Sequence, residues 1–231
     1  MTELTVERSR SEDTMTLDDV AHPGEAEIEE ICSLNWSGLS GDDLLNVAWA
    51  YYHFSVQFRE NLEIAVDVLP GDEHLIELDR GERNTDNLSP YPGVTEPGER
   101  VNHDEFMRRT LMLTPIDDVR RARLEKIGAT YLATVRSLDR RTKASSMASY
   151  EDGGLERVFK SMLRAPDWND ATLLAFRHFL ERHIEFDSDP VNGHGSLCRH
   201  LAPREGVRDL WAAFKESLVA AAPTLQRPGI L

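Results

Sequence analysis

Cysteine is scarce in this chain: Cys32 and Cys198 are the only two among 231 residues. Two thiols cannot build a disulfide framework, and the default expectation is a reducing, cytoplasmic setting. No apolar run approaches the roughly 20 residues that cross a bilayer, so no membrane partner is expected. The opening residues, MTELTVERSRSEDTMTLDD, have no apolar core of the kind an export signal carries. Positive charge is also short. There are 26 Lys and Arg against 41 Asp and Glu, a formal net charge of −15. The phosphate backbone would be repelled by such a surface, which argues against nucleic acid as a partner. Runs of alternating β-branched residues are missing, so no strand is expected. No internal repeat is visible.

What is present is a helical pattern in a globular composition, 40% hydrophobic and 29% charged. Residues 1–25 are polar and acidic and read as a flexible tail. Residues 26–231 read as a single helical domain. In GEAEIEEICSLNW, Ile28, Ile31, Cys32 and Leu34 recur at helical spacing. Ser40 is the expected N-cap of a long helix with Asp42 and Asp43 in its first turn. Leu44, Leu45, Val47, Ala48, Tyr51, Tyr52, Phe54 and Ser55 form its buried face, and Pro70-Gly71 ends it. A short helix over about 72–82 precedes a long ordered loop at 84–100, rich in Pro, Gly and Asn. HDEFMRRTLML starts another helix, capped near Asn102 or Asp104. Residues 117–145 form one long amphipathic segment carrying Val119, Leu124, Ile127, Tyr131, Leu132, Val135 and Leu138. Residues 146–164 follow, interrupted at Gly153-Gly154. Asp167 or Asn169 is expected to cap a helix from about 170 through His183. The last helix covers 204–221, where Leu210, Trp211, Phe214 and Leu218 suit either the core or a homodimer face. The expected fold is an all-α bundle of about seven or eight helices.

The stretch ERHIEFDSDPVNGHG, residues 181–195, carries the most chemistry. His183 and Asp187 are four apart and share a helix face. His194 lies close to three full turns beyond His183, with Pro190 and Gly193 expected to kink or open the helix between. Two imidazoles and a carboxylate suit iron, manganese or zinc and suit calcium or magnesium poorly. The plain alternative is a polar helix end. Three further residues, Glu82, His103 and Glu151, sit at element boundaries beside apolar segments. A carboxylate buried there without a partner would cost several kcal/mol, and a metal is one way to offset that. Di-iron bundles collect carboxylates and histidines from several helices in this manner.

Other candidates have plainer readings. Tyr51, Tyr52 and Phe54 read as core packing before pocket lining. Arg108, Arg109 and Arg177 are able to bind a carboxylate but also suit solvated helix faces. His178 reads as structural or as a partner of ligands. His53, His74 and His200 are expected to face solvent or fill caps, and Cys198 to be a small buried side chain.

Taken in order, Glu82 in RGERNTDN, His103 in NHDEF, Glu151 in SYEDGG, and His183, Asp187 and His194 in RHIEFDSDPVNGHG give the chain a resemblance to a known family. Over residues 60–220 the sequence resembles the heme-oxygenase-like di-iron oxidases and oxygenases, the iron-containing redox enzymes. It departs from them in the longer Asp187-to-His194 gap and in the inserted NTDNLSPYPGV loop. That insertion leaves Glu77, Asp79 and Asp86 as alternatives to Glu82. The resemblance implies a seven-helix heme-oxygenase-like bundle and two Fe2+ ions as cofactors. One iron would be held by Glu82, His103 and Glu151. The other would be held by His183, Asp187 and His194, with Glu151 bridging. It also implies O2 and a small amino-acid-like or fatty-acid-like metabolite as substrates, with C–C cleavage, desaturation or N-oxygenation as the reaction. The same fold hosts thiaminase-II-like hydrolases and a cofactor-free oxidase, so a metal-free enzyme is the alternative. An acidic helical interaction protein is the non-enzymatic one.

Overall fold

A computed structural model describes residues 23–187, 194–202 and 204–226, with Asp187 placed by its backbone alone. Most of the expected 1–25 tail, and the whole Pro190–Gly193 break, lie outside the described residues.

Among the described residues the chain forms ten α-helices and no strand beyond two isolated bridges. In chain order they are α1 (Glu25–Cys32), α2 (Gly41–Val68), α3 (Glu73–Glu82), α4 (His103–Thr110) and α5 (Asp118–Arg136), then α6 (Arg140–Glu151), α7 (Gly154–Met162), α8 (Ala171–Asp187), α9 (His194–Cys198) and α10 (Val207–Ala221). The all-α reading holds, and the count of about seven is corrected upward.

The extra helices have local causes. The segment expected to run unbroken over 117–145 stops at Arg136. Asp139 takes the N–H groups of Arg141 and Thr142, each at 3.0 Å, and so starts α6. Gly153, left-handed at φ 90°, then separates α6 from α7. The short α9 has too few residues to show a period in the sequence. Caps shift as well. Ser40 is the N-cap, as expected, and forms a capping box with Asp43. Neither Asp167 nor Asn169 caps α8, because the two bond each other at 2.7 Å. Asp170 takes the Thr172 N–H at 2.8 Å instead.

α2 is the central post. It packs against α3, α4, α5, α6, α8 and α10, which is why its apolar residues are not confined to one stripe. Tyr51 and Phe54 are core residues, as their plain reading held, and Tyr52 is half-buried. Phe54 packs on Phe214 of α10 with ring centroids 4.4 Å apart. Leu210, Trp211, Phe214 and Leu218 have no exposed surface, so the α10 face is used inside the bundle. All the buried apolar residues join one cluster.

Two single residues correct the sequence reading. Val119 is 82% exposed and takes no part in the α5 face, which is built from Leu124, Tyr131, Leu132 and Val135. His53 does not face solvent. It is buried, with Nδ1 bonded to the Trp49 carbonyl at 2.9 Å. Its ring fills the space a side chain at Gly128 would occupy, since a Cβ there would lie 2.2 Å away.

Candidate metal centre

α3 ends at Glu82 and α4 begins at His103, with the long loop between them. That loop is pinched shut at its base. Val101 N–H donates to the Thr85 carbonyl at 2.9 Å, and Asn84 N–H donates to Asn102 Oδ1 at 3.1 Å. The pinch returns the chain on itself and sets His103 Nδ1 2.6 Å from Glu82 Oε2. Asn102 thus sits at the start of α4 but serves loop closure and makes no side-chain cap. From the far side, α8 delivers His183 with Nε2 3.1 Å from His103 Nδ1. Glu151, the last residue of α6, and His194, the first of α9, complete the group. His194 Nδ1 lies 2.9 Å from Glu82 Oε1 and 3.4 Å from Glu151 Oε2. Glu82, His103, Glu151 and His183 are all buried, and the His194 side chain is 13% exposed.

Five of the six residues singled out in the sequence therefore meet. They form two sets, Glu82–His103–His183 and Glu82–Glu151–His194, each with donor atoms within 4.8 Å of one another. The grouping differs from the one the resemblance implied. His103 goes with His183, and Glu82 rather than Glu151 is the shared carboxylate, because its two oxygens face opposite sets. The sixth residue, Asp187, closes α8 one turn past His183, and its side chain lies outside the described residues. Of Glu82 and its alternatives, Glu82 is the one that joins these two sets. Asp79 is held by Arg83 at 2.8 Å, Glu77 by Arg80 at 3.3 Å, and Asp86 is exposed.

Hydrogen bonds behind the cluster assign the ring tautomers. Asn87 Nδ2 donates to the Gly81 carbonyl at 3.2 Å, so its Oδ1 accepts from His103 Nε2–H at 3.1 Å. His183 Nδ1–H donates to the Phe179 carbonyl at 2.8 Å. His183 Nε2 then presents a lone pair toward His103 Nδ1, the ring atom that faces Glu82. Glu82 Oε1 is buried and faces His194 Nδ1 at 2.9 Å. Ring lone pairs and the two Glu82 oxygens converge on places that a proton or a metal cation can fill.

Charge follows from burial and these contacts. Burial alone would raise the Glu82 pKa, but His103 and His194 outweigh it and hold the carboxyl well below the usual range. For Glu151 burial wins over the bond to His194, helped by the Glu82 charge, and the pKa is raised. His183 is pushed down to about 3 by burial and then by His103, so its ring is neutral. Burial lowers His194 too, but Glu151 and Glu82 outweigh it and lift the pKa to about 11.

Two glycines make the approach of α9 possible. A Cβ at Gly81 would lie 3.1 Å from His194 Nε2, and one at Gly195 would lie 2.9 Å from the Glu151 carbonyl. Aromatic rings lie against the histidines, with the Phe179 ring tilted on His183 at a centroid distance of 4.1 Å. A narrow cleft with room for little more than one water, about 20 Å³, reaches the cluster between Phe54, Phe58, Leu155 and Phe179. Its rim carries Arg59, paired with Asp104 at 2.9 Å.

The remaining candidates lie elsewhere. Arg108 and Arg109 bind Glu105, and Arg177 binds Glu181, all on their own helices. His178 bonds the Leu88 carbonyl at 3.1 Å and fastens the long loop to α8. Cys198 is buried, and burial pushes its thiol pKa up. The sequence reading missed Asn87 and Gly81. The only signals were an Asn inside a turn-rich loop and a Gly beside a candidate carboxylate. No family model, curated protein or solved structure matches the chain.

Proposed function

We propose that this cluster holds two ferrous ions and that the protein is a non-heme di-iron oxidase or oxygenase of a small, partly apolar metabolite. The observation that carries the reading is Glu82: one buried carboxylate faces a histidine-bearing set with each of its oxygens. A carboxylate so placed suits a bridge between two cations. The donors, two carboxylates and three imidazoles without a thiolate, fit iron, manganese or zinc, and the sequence resemblance selects iron. Two ferrous ions would supply the electrons that reduce O2, a task side chains do not perform.

The chain's own residues do the rest. His103 and His183 offer ring nitrogens whose orientation is fixed from behind by Asn87 and the Phe179 carbonyl. His194 gives up the proton it holds between Glu82 and Glu151. Phe179 and Phe54 keep bulk water from the rings. The cleft as it stands holds little more than one water; with Phe54, Phe58 and Phe179 turned aside it would take the apolar body of an amino-acid-like or fatty-acid-like metabolite, for C–C cleavage, desaturation or N-oxygenation. The same reading takes the bundle as a heme-oxygenase-like fold in a cytoplasmic protein. A thiaminase-like mechanism is less well supported, because the Cys198 thiolate it would need is disfavoured by burial.

Anaerobic ferrous titration tests the proposal. About two irons per chain are expected, followed by O2 consumption on aerobic mixing, with both lost in Glu82→Gln at unchanged helical content. A folded wild-type protein that takes up no iron would sink the reading and return weight to the metal-free enzyme or the interaction protein.

A further inference from the structure

A second cluster lies on the surface, at the other end of α3. Asp72 caps that helix, with Oδ1 taking the N–H groups of His74 and Leu75, each at 3.1 Å. Its other oxygen, Oδ2, lies 2.6 Å from Nε2 of His200, two residues past the end of α9. The Asp72 side chain is only 18% exposed and is fixed by the cap, so Oδ2 is held in place. The His74 ring stands edge-on to the His200 ring with centroids 5.1 Å apart. The donor atoms of all three residues lie within 4.8 Å of one another. Helix capping accounts for Asp72 and an ion pair accounts for His200. Neither accounts for His74, whose ring closes the third side of the group.

We infer that Asp72, His74 and His200 form a surface site for a zinc-type divalent cation, separate from the buried cluster. Two imidazoles and a carboxylate are a ligand set zinc accepts, at bonds of about 2.0–2.2 Å. Bonds of that length need donors closer than the widest spacing here, and the exposed side chains of His74 and His200 can turn to supply it. The fourth position faces solvent and takes water. The site joins the start of α3 to the chain just beyond α9. These are the two elements whose opposite ends present Glu82 and His194. A cation at the surface therefore fastens the segment that brings His194 inward, at a distance from the buried donors themselves.

Zinc titration by calorimetry tests this with wild type and His74→Ala. The alanine variant keeps both the helix cap and the Asp72–His200 pair, so its folding is expected to match wild type by circular dichroism. Wild type is expected to bind one more zinc per chain than His74→Ala, and His200→Ala to lose the same equivalent. In Glu82→Gln, where the buried cluster is disabled, one zinc equivalent should remain and should vanish when His74→Ala is added. The difference is read whether or not the buried cluster binds metal, so this inference and the di-iron reading fail separately. Equal zinc counts in wild type and His74→Ala would overturn it, as would a lost equivalent that His200→Ala retains.

Discussion

The two sets of the buried cluster share Glu82 and differ in how their other donors are held. In the first, His103 and His183 stand on α4 and α8, and each ring is locked from behind, by Asn87 at 3.1 Å and by the Phe179 carbonyl at 2.8 Å. In the second, Glu151 is the last residue of α6 and His194 the first of the short α9. There the fastenings at the surface are ion pairs, Arg199 with Asp152 at 2.8 Å, side chains 56% and 41% exposed, and His200 with Asp72 at 2.6 Å. One set is built by packed helices before any ligand arrives. The other is completed by a short segment laid across it. Preorganised donors lose less freedom on binding, so under the di-iron reading the first set is expected to fill before the second.

Glu82→Gln is the change that erases the comparison, because it removes the residue common to both sets. Ferrous stoichiometry should fall from about two per chain to near zero. In the metal-free protein His194 would lose Glu82 as an anionic neighbour, and breaking such a buried pair costs about 3 kcal/mol. Urea denaturation should show that loss directly. A variant that retained one tightly bound iron would mean that the sets do not depend on a shared carboxylate.

Asn87→Ala separates the two halves. It frees His103 to turn and to move its proton between ring nitrogens, while α9 is untouched. Losing such an outer partner weakens metal binding by about 10–100-fold, and the loss should fall on the tighter of two ferrous binding steps. If both steps weakened equally, Asn87 would be acting through loop folding and not through the His103 tautomer.

How far was this legible in the residues alone? Helix periodicity exposed α2, α8 and α10, and Ser40 followed by Asp42 and Asp43 marked the start of α2. The donors Glu82, His103, Glu151, His183 and His194 were also legible, because charged or ring side chains stood at element ends beside apolar runs. Their grouping was not. Spacing along the chain does not say which helices become neighbours, and the pairing of His103 with His183 depends on how α4 meets α8. Asn87 stayed hidden for a related reason. Its role exists only after Thr85 and Val101 pair and close the loop, and nothing local to Asn87 encodes that pairing. The break between α5 and α6 was missed for the opposite reason. Asp139 is a purely local signal, and it was overrun by an apolar pattern that continues across it.

Protons give the next, smaller contrast. In the metal-free protein His194, with its pKa raised to about 11, carries a proton at neutral pH, whereas His183, lowered to about 3, does not. A metal ion entering the second set must displace the His194 proton; one binding His183 displaces none from that ring. Affinity of the second set should therefore rise about tenfold per pH unit from pH 6 to pH 8, and uptake there should release protons measurable in buffers of different ionisation enthalpy. The same proton bears on stability with a fixed sign. A folded pKa raised above the ordinary value of 6.5 adds stability that is full below that value and is lost as pH rises toward 11. Metal-free protein should thus lose stability between pH 7 and pH 10, and His194→Gln should flatten that part of the profile.

The smallest effect belongs to the fastening of α9. Arg199→Ala removes a largely exposed ion pair, and such pairs contribute about 0.2–1 kcal/mol. That corresponds to a change of at most about fivefold in the population of α9 docked against α6. Gly195 still permits the close approach, and His194 still faces Glu82 and Glu151, so the second set should weaken by that small factor while the first is unmoved. Gly195→Ala acts on the same contact by a different force: its Cβ would press on the Glu151 carbonyl and on Asp152, both backbone neighbours that cannot rotate away. It should therefore weaken the second set more than Arg199→Ala does. Ferrous titrations of the two variants, read step by step, rank steric fit against surface charge as what holds α9 in place. A larger loss from Arg199→Ala than from Gly195→Ala would mean that charge, and not the close backbone contact, keeps His194 in the cluster.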